Sequence, residues 1–545
     1  MFARIKKSGK YQYLQIVTNH KEKGKVRQQV IATIGRMDEL EAKGRIETLI
    51  RSLSRFSEKA MLILSGRGEP NLDAVRIGPA LIFERLWQQT GIGKVLGRLL
   101  AGRRFEFDVE RAIFMTVLHR LMASGSDRFC DRWHRDYHIQ GVEGLDLHHL
   151  YRAMAFLGEE LADQQDATPF APRCTKDLVE EELFRYRRDL FSSLDLVFFD
   201  TTSLYFEGQG GQSIGQRGFN KDHRPDLRQM VVGAVIDGNG QPISCEMWPG
   251  NTTDVKTLLP IVDRLRRRFH VGSCCIVADR GMTDAKTLAA LEAPGCTMPY
   301  ILGVRMRKVN AAAEVLSRAG RYREVRPEGM SSNDPEPLKV KEVIHDGVRY
   351  IVCLNPRQAR KDAHDREAIL SSLREQLKKG AKQLIGNKGY RRYLSVEKDS
   401  ACIDERKIAS EARFDGKWVL RTNTDLSSEQ VALKYKQLWQ VERIFRDTKT
   451  LLETRPVFHR RDETIRGHVF CSFLSLVMRK ELDRRMEASG ESFEWAEIKQ
   501  DLNALQMVTI EEGGKRFAIR SQSQGVCGKL FKAVGVAFPS TIREV

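Results

Sequence analysis

Residues Leu196-Val197-Phe198-Phe199 are apolar without a break, and the run stops at Asp200. An unbroken apolar run of this length predicts a strand buried on both faces. A second run, Cys274-Cys275-Ile276-Val277-Ala278, stops in the same way at Asp279. Between them, residues 229–237 and 242–250 flank a Gly-Asn-Gly-Gln turn and predict two more strands, a meander with the first. Helical spacing over 254–268 and the apolar "PYILGVR" complete an α/β unit.

The flanking pattern differs. Residues 11–17 and 26–34 alternate around the basic turn "NHKEKGK", which predicts a small β-meander over residues 1–36. A polar helix (about 38–57) and the Gly/Pro linker "SGRGEPN" follow. From about 77 to 161 the spacing is helical, with restarts after Ser/Asp cap signals, and 176–191 reads as a further helix. Residues 308–415 are charged, with a hairpin signal at Asp346-Gly347 and a polar helix (about 362–382). A strand at 415–423 leads to one long helix from about Ser427, and the tail reads as a helix, a hairpin at Gly513-Gly514 and a last helix. The expected organisation is therefore 1–60, a basic β-meander plus helix; 61–180, helical; 181–307 and 416–484, two parts of one core; 308–415, a β-rich insertion; and 485–545, a small α/β region.

Composition narrows the class. The 545 residues are 41% apolar, enough for several packed cores. Ninety Lys and Arg against 72 Asp and Glu leave a net charge of +18, which favours a polyanionic partner, nucleic acid first. Lys6, Lys7, Lys10, Lys21, Lys23, Lys25 and Arg27 either follow a phosphate backbone or form a solvated face. The start lacks an apolar signal core, and the longest apolar run, around 469–478, is too short to span a bilayer. Ten scattered cysteines with no Cys-x-x-Cys read as reduced thiols of a cytoplasmic protein.

The chemistry rests on carboxylates. If the two Asp-ended strands are neighbours, Asp200 and Asp279 converge, and a hard divalent cation relieves their repulsion. In "ALKYKQLWQVERIFRDTKTLLE", Tyr435, Leu438, Trp439, Glu442 and Phe445 form a stripe at helical spacing, with Glu442 on its buried face. Tyr435, Glu442 and Lys449 are seven residues apart, so each lies only about 20° round one helix axis from the next. Elsewhere the readings are plainer. Adjacent His148 and His149 face different ways and do not share a metal. Trp248 either fills a core or stacks on a base, His468 reads as structural, and Asn251 and Thr252 are expected to cap the helix that follows. Arg280 touches either a phosphate or an acid.

The contexts "FFDTTSLYFEG" and "IVADRGM", with Tyr435, Glu442 and Lys449, resemble the DDE transposases of bacterial insertion sequences, in the 1634-type branch of the insertion-sequence-4 group. Leu438 stands where that signature has Arg. The resemblance implies an α/β fold: a ribonuclease-H-like catalytic core with a β-rich insertion, preceded by the small β-meander and the helical region. It implies catalysis by Asp200, Asp279 and Glu442 on two Mg²⁺ ions, with Mn²⁺ able to substitute; Asp200 binds both ions, and Asp279 and Glu442 one each. It also implies DNA contacts from Tyr435, Lys449, Arg280 and, in compensation for Leu438, Arg446. The partners are double-stranded DNA, as terminal inverted repeats and as target, and a second copy of the chain in a synaptic homodimer, with no membrane. Water frees a 3′-OH at each element end and strand transfer follows, in a cut-and-paste course near the bacterial nucleoid. Two other readings stay open: a catalytically inactive DNA-binding or assembly protein, and a ribonuclease-H-like nuclease that does not join strands.

Overall fold

The structure is a computed structural model. It describes residues 2–22, 25–42, 45–46, 49, 73–165, 167–168, 171–187, 196–219, 221–222, 224–269, 274–293, 298–326, 337–379, 388–397, 400–450, 452–512 and 515–544. These divide into two compact units, Met1–Ala153 with Met478–Val545, and Met154–Val477.

The first unit opens with an antiparallel sheet of β1 (Phe2–Ser8), β2 (Tyr11–Glu22) and β3 (Lys25–Arg36). The alternation places β2 and β3 correctly and misses β1, whose sequence is mostly polar. Lys6, Lys7 and Lys10 are exposed. The expected polar helix is seen as Met37–Ala42 and again at 45–46 and 49, and the rest of it and the 65–71 linker lie outside the described residues. After the short β4 (Asp73–Arg76) come helices Gly78–Gln89, Ile92–Leu100, Val109–Met122 and Asp127–Trp133. The last two start where cap signals stand: Asp108 accepts the Arg111 N–H at 3.1 Å and Ser126 the Phe129 N–H at 3.2 Å.

The second unit is built on a nine-stranded mixed sheet. Its strands are β5 (Leu196–Tyr205), β6 (Gln229–Asp237), β7 (Pro242–Pro249), β8 (Cys275–Ala278), β9 (Tyr300–Gly303), β10 (Arg323–Val325), β11 (Leu338–His345) and β12 (Val348–Leu354). A separate two-stranded ribbon, β13 (Leu394–Glu397) with β14 (Ser400–Ile403), precedes the ninth strand, β15 (Lys417–Thr422). The sheet order is β10-β11-β12-β15-β9-β8-β5-β6-β7. β8 runs parallel to β5 and β9, and every other neighbouring pair is antiparallel. Segment 308–415 thus supplies three strands of this sheet, the ribbon and the helix Pro356–Lys379. Its hairpin turns at Asp346-Gly347, both at positive φ (51° and 77°), a backbone that Asp tolerates and Gly adopts freely.

Alternation along β5 and β8 divides the core. Val197, Phe199, Ile276 and Ala278 pack with Leu258, Ile261, Val262 and Leu265 of helix Leu258–Arg268. Leu196, Phe198, Cys275 and Val277 pack with Val431, Val441, Ile444 and Phe445 of helices Ser428–Lys436 and Trp439–Thr450. Covered on both faces, the central strands are apolar at nearly every position.

In the first unit, β16 (Gln506–Glu512), β17 (Lys515–Arg520) and β18 (Ile542–Glu544) form an antiparallel sheet in the order β18-β17-β16-β4. The nine described cysteines are free thiols, eight of them buried and Cys402 exposed. Cys296 lies outside the described residues. No helix among the described residues is long and apolar enough to cross a membrane.

Candidate active site

β5 and β8 are hydrogen-bonded parallel neighbours, with Phe199 beside Ala278. Asp200 and Asp279 are therefore the next residues on adjacent strands, both on the face covered by helices Ser428–Lys436 and Trp439–Thr450. One expectation changes: Asp200 does not end its strand. β5 continues to Tyr205, paired with β6 throughout, because Thr201, Thr202 and Ser203 suit a pleated backbone as well as a turn. What stops at this level is β8, and its end opens the parallel edge of β5 where Asp200 stands.

Asp200 is a strained acid. Burial raises its pKa to about 6; the Lys221 ammonium and the Thr201 N–H oppose the rise, and the negative charges of Asp279 and Asp254 add to it. Lys221 and Asp254 were not singled out from the sequence. Lys221 Nζ donates to the Thr201 carbonyl at 2.7 Å and hydroxyl at 3.0 Å and lies 3.4 Å from Asp254 Oδ2. Asp254 Oδ1 accepts the Thr201 hydroxyl at 2.7 Å. Asp254 opens a short 3₁₀ helix whose N-cap is Thr253, with no side-chain cap hydrogen bond, so Asn251 and Thr252 do not cap it as expected. Tertiary pairing with Thr201, 53 residues away, and with Lys221 gives this carboxylate its place.

The long helix expected from Ser427 is two helices. Ser428–Lys436 ends at Gln437, and Trp439–Thr450 begins after a tightened turn in which Leu438 and Val441 bond three residues back. A 3₁₀ turn advances each residue further round the axis than an α turn, so Tyr435 leaves the line of Glu442 and Lys449. The buried stripe is Leu438, Val441, Ile444, Phe445 and Thr448, while Trp439 and Glu442 are exposed. The Glu442 carboxylate has no hydrogen-bond or ion-pair partner among the described residues. Asp200, Asp279 and Glu442 do not form a group with ligand oxygens all within 4.8 Å of one another.

Tyr435 donates its hydroxyl to Asp279 Oδ1 at 2.9 Å, where the sequence reading gives it a phosphate. Gly303 makes room, since a Cβ there would stand 2.5 Å from the Tyr435 hydroxyl. Arg280 is exposed and has no ion-pair partner among the described residues. Arg446 is exposed and likewise unpaired among them. Lys449 instead meets Asp222, with Nζ 2.9 Å from Oδ1, and Arg455 pairs with the same carboxylate.

Other residues resolve plainly. Trp248 is buried edge-on against Phe199, 6.5 Å between ring centroids. His468 is buried, with Nε2 3.2 Å from the Thr454 carbonyl. His148 and His149 come closer than expected, 3.9 Å between rings, because His149 Nδ1 turns back to accept the Asp146 N–H at 3.0 Å. Asp177, Glu180 and Glu246 cluster within 4.8 Å, but Lys176, Arg264 and Arg268 already neutralise them, so the cluster reads as a structural ion network.

Residues 192–478 match the family model of the transposase DDE domain. Residues 3–66 match that of the IS1634 family transposase N-terminal domain. The chain belongs to the DDE transposases, in the IS1634 family. No curated protein matches the transposase. A solved structure similar to it is the piggyBac transposase synaptic complex with hairpin DNA, determined by cryo-EM, at 11% identity, TM-score 0.38, and 78% and 79% coverage of the two chains. The DDE domain implies dependence on a divalent metal, and the donors fit one. Asp200 and Asp279 offer hard oxygens on one sheet face, and burial, with a smaller share from the charges of Asp279 and Asp254, raises the pKa of Asp200, a cost that a cation would relieve.

Proposed function

We propose that the transposase cleaves DNA at its element ends through Asp200, Asp279 and Glu442, in a ribonuclease-H-like core, and joins the freed ends to target DNA by a cut-and-paste course. The order β7-β6-β5-β8-β9, with β6 antiparallel to its neighbours and β8 and β9 parallel to β5, supports that core. The observation that carries the reading is the β5–β8 register, which sets the two aspartates side by side.

Two Mg²⁺ ions, replaceable by Mn²⁺, would be held by Asp200, Asp279 and Glu442, and when bound they activate the attacking oxygen and stabilise the leaving one. The chain's own groups do the rest. Tyr435 orients Asp279 by its hydrogen bond. Lys221 offsets the crowding of carboxylates around Asp200. Glu442, exposed and with no partner among the described residues, completes the set from the neighbouring helix. Water attacks the phosphodiester at each end and frees a 3′-OH; that hydroxyl attacks a target phosphodiester, forming one P–O bond as another breaks. Arg280, Arg446 and Lys449 face the DNA backbone. The basic N-terminal strands and the helical region recognise ends, segment 308–415 flanks the site, and two copies join in synapsis near the nucleoid.

The test is cleavage of a plasmid carrying the inverted repeats that flank the gene. Asp200→Asn, Asp279→Asn and Glu442→Gln should each lose cleavage and keep end binding. Cleavage at wild-type rate by any one of them rejects the assignment of that residue.

A further inference from the structure

Asp222 holds two cations with one carboxylate. Lys449 Nζ lies 2.9 Å from its Oδ1, and the Arg455 guanidinium meets its Oδ2. The side chains of Lys449, Asp222 and Arg455 keep 11%, 16% and 22% exposure, so the cluster is recessed but open to a ligand. Arg455 also covers the Tyr205 ring, 5.4 Å from its centroid, which fixes the guanidinium at the end of β5. Lys221, one residue before Asp222, reaches Thr201 and Asp254 beside Asp200. The cation pair therefore stands next to the proposed cleavage site.

Two positive groups around one carboxylate leave a surplus of charge. A backbone phosphate carries the same single negative charge on two terminal oxygens, and both Lys and Arg bind it well. Asp222 lies in the irregular segment between β5 and β6, outside every strand and helix, so it can leave without breaking a ladder. Burial pulls the Lys449 pKa below its ordinary value, and Arg455 and Lys221 pull the same way against Asp222, so the ammonium needs an anion beside it, which Asp222 supplies until a phosphate does.

We propose that Asp222 is an internal stand-in for the backbone phosphate expected at Lys449: its carboxylate occupies the place between Lys449 and Arg455 until DNA arrives. The inference rests on the reading of Asp200 and Asp279 as the cleavage site. Phosphate entry exchanges one ion pair for another, so Asp222 lowers DNA affinity and selects for a strand seated deeply enough to displace it.

The test measures binding of a short random-sequence duplex to the full chain by fluorescence anisotropy across a KCl titration. Asp222→Asn should bind several-fold more tightly at low salt. Its plot of log affinity against log salt should be steeper by about one to two, the slope expected for one or two newly available cations. The gain should vanish in Asp222→Asn/Lys449→Met and Asp222→Asn/Arg455→Met, a dependence that a merely structural Asp222 would not show. Asp222→Ser serves if the Asn variant does not fold, with melting curves to confirm the fold. A folded variant with wild-type affinity and slope overturns the stand-in. The cleavage assay of Asp200→Asn tests the underlying reading separately: retained cleavage there rejects the site, whatever Asp222 does.

Discussion

The Tyr435 hydroxyl and the Asp279 carboxylate are joined by a 2.9 Å hydrogen bond that ties helix Ser428–Lys436 to the end of β8. Gly303 lies under this bond, and any side chain there would collide with the hydroxyl. Tyr435→Phe should weaken Mn²⁺ binding and slow cleavage about tenfold, the size of one lost hydrogen bond to a charged group. The salt dependence of DNA binding should not change. A flatter salt slope in the variant would show instead that the phenol serves a phosphate.

The raised pKa of Asp200 makes a pH prediction. Below about 6 a proton competes with the metal for this carboxylate, so apparent Mn²⁺ affinity should fall as pH drops through 6, by up to roughly tenfold per unit for a single proton. Calorimetric titrations at a series of pH values would read it. Affinity that stays flat from pH 7.5 to 5 contradicts the shift.

The same group should destabilise the metal-free fold. Its folded pKa lies above the ordinary carboxylate value, so the cost is present above about 6 and disappears as pH falls towards 4. Asp200→Asn should therefore be more stable than wild type at pH 7.5 without metal, by about 1–3 kcal/mol, with the difference gone by pH 4. Urea unfolding at the two pH values measures this.

Lys176, Asp177, Glu180, Glu181, Glu246, Arg264 and Arg268 form a buried ion network that ties helix Thr175–Arg187 to β7 and helix Leu258–Arg268. Burial pushes Glu180 up to about 7, while burial is outweighed at Asp177 by Lys176 and Arg268, which hold it low. Removing one partner strands the others. Arg268→Met should cost about 3–5 kcal/mol in chemical denaturation. A loss below 1 kcal/mol would mean that the network relaxes or hydrates freely.

Glu442→Gln separates function from stability. The exposed carboxylate has no partner among the described residues, so the melting temperature should stay at the wild-type value while cleavage is lost. A drop in melting temperature would reveal a structural role.

Local pattern carried the central strands well. Val197 to Phe199 and Cys275 to Ala278 are apolar because both sheet faces are covered, and that signal needs no partner to be seen. The pairing of Asp200 with Asp279 is legible only on the condition that the two strands are neighbours, a relation between segments 79 residues apart that the fold alone supplies. The turn at 437–438 was not legible: without Gly or Pro, nothing in Lys436 to Trp439 marks a change of helical pitch. Asp222, Asp254 and Lys221 were missed because their partners are remote; Lys449 and Asp222 are 227 residues apart. The partial burial that makes such charges informative exists only in the fold.

The β4–β16 ladder joins Arg76 to Gln506. On a ribosome, β4 leaves the exit tunnel hundreds of residues before its partner exists, and its edge stays unpaired while the whole of Met154–Val477 is synthesised. The sheet can close only when the tail emerges. A copy shortened by a premature stop or frameshift keeps the sequence of β4 but leaves that edge open, and open edges are sites of aggregation and proteolysis. A chain truncated before β16 should therefore be degraded or aggregate faster than the full chain, which a pulse-chase comparison of the two in cells would measure.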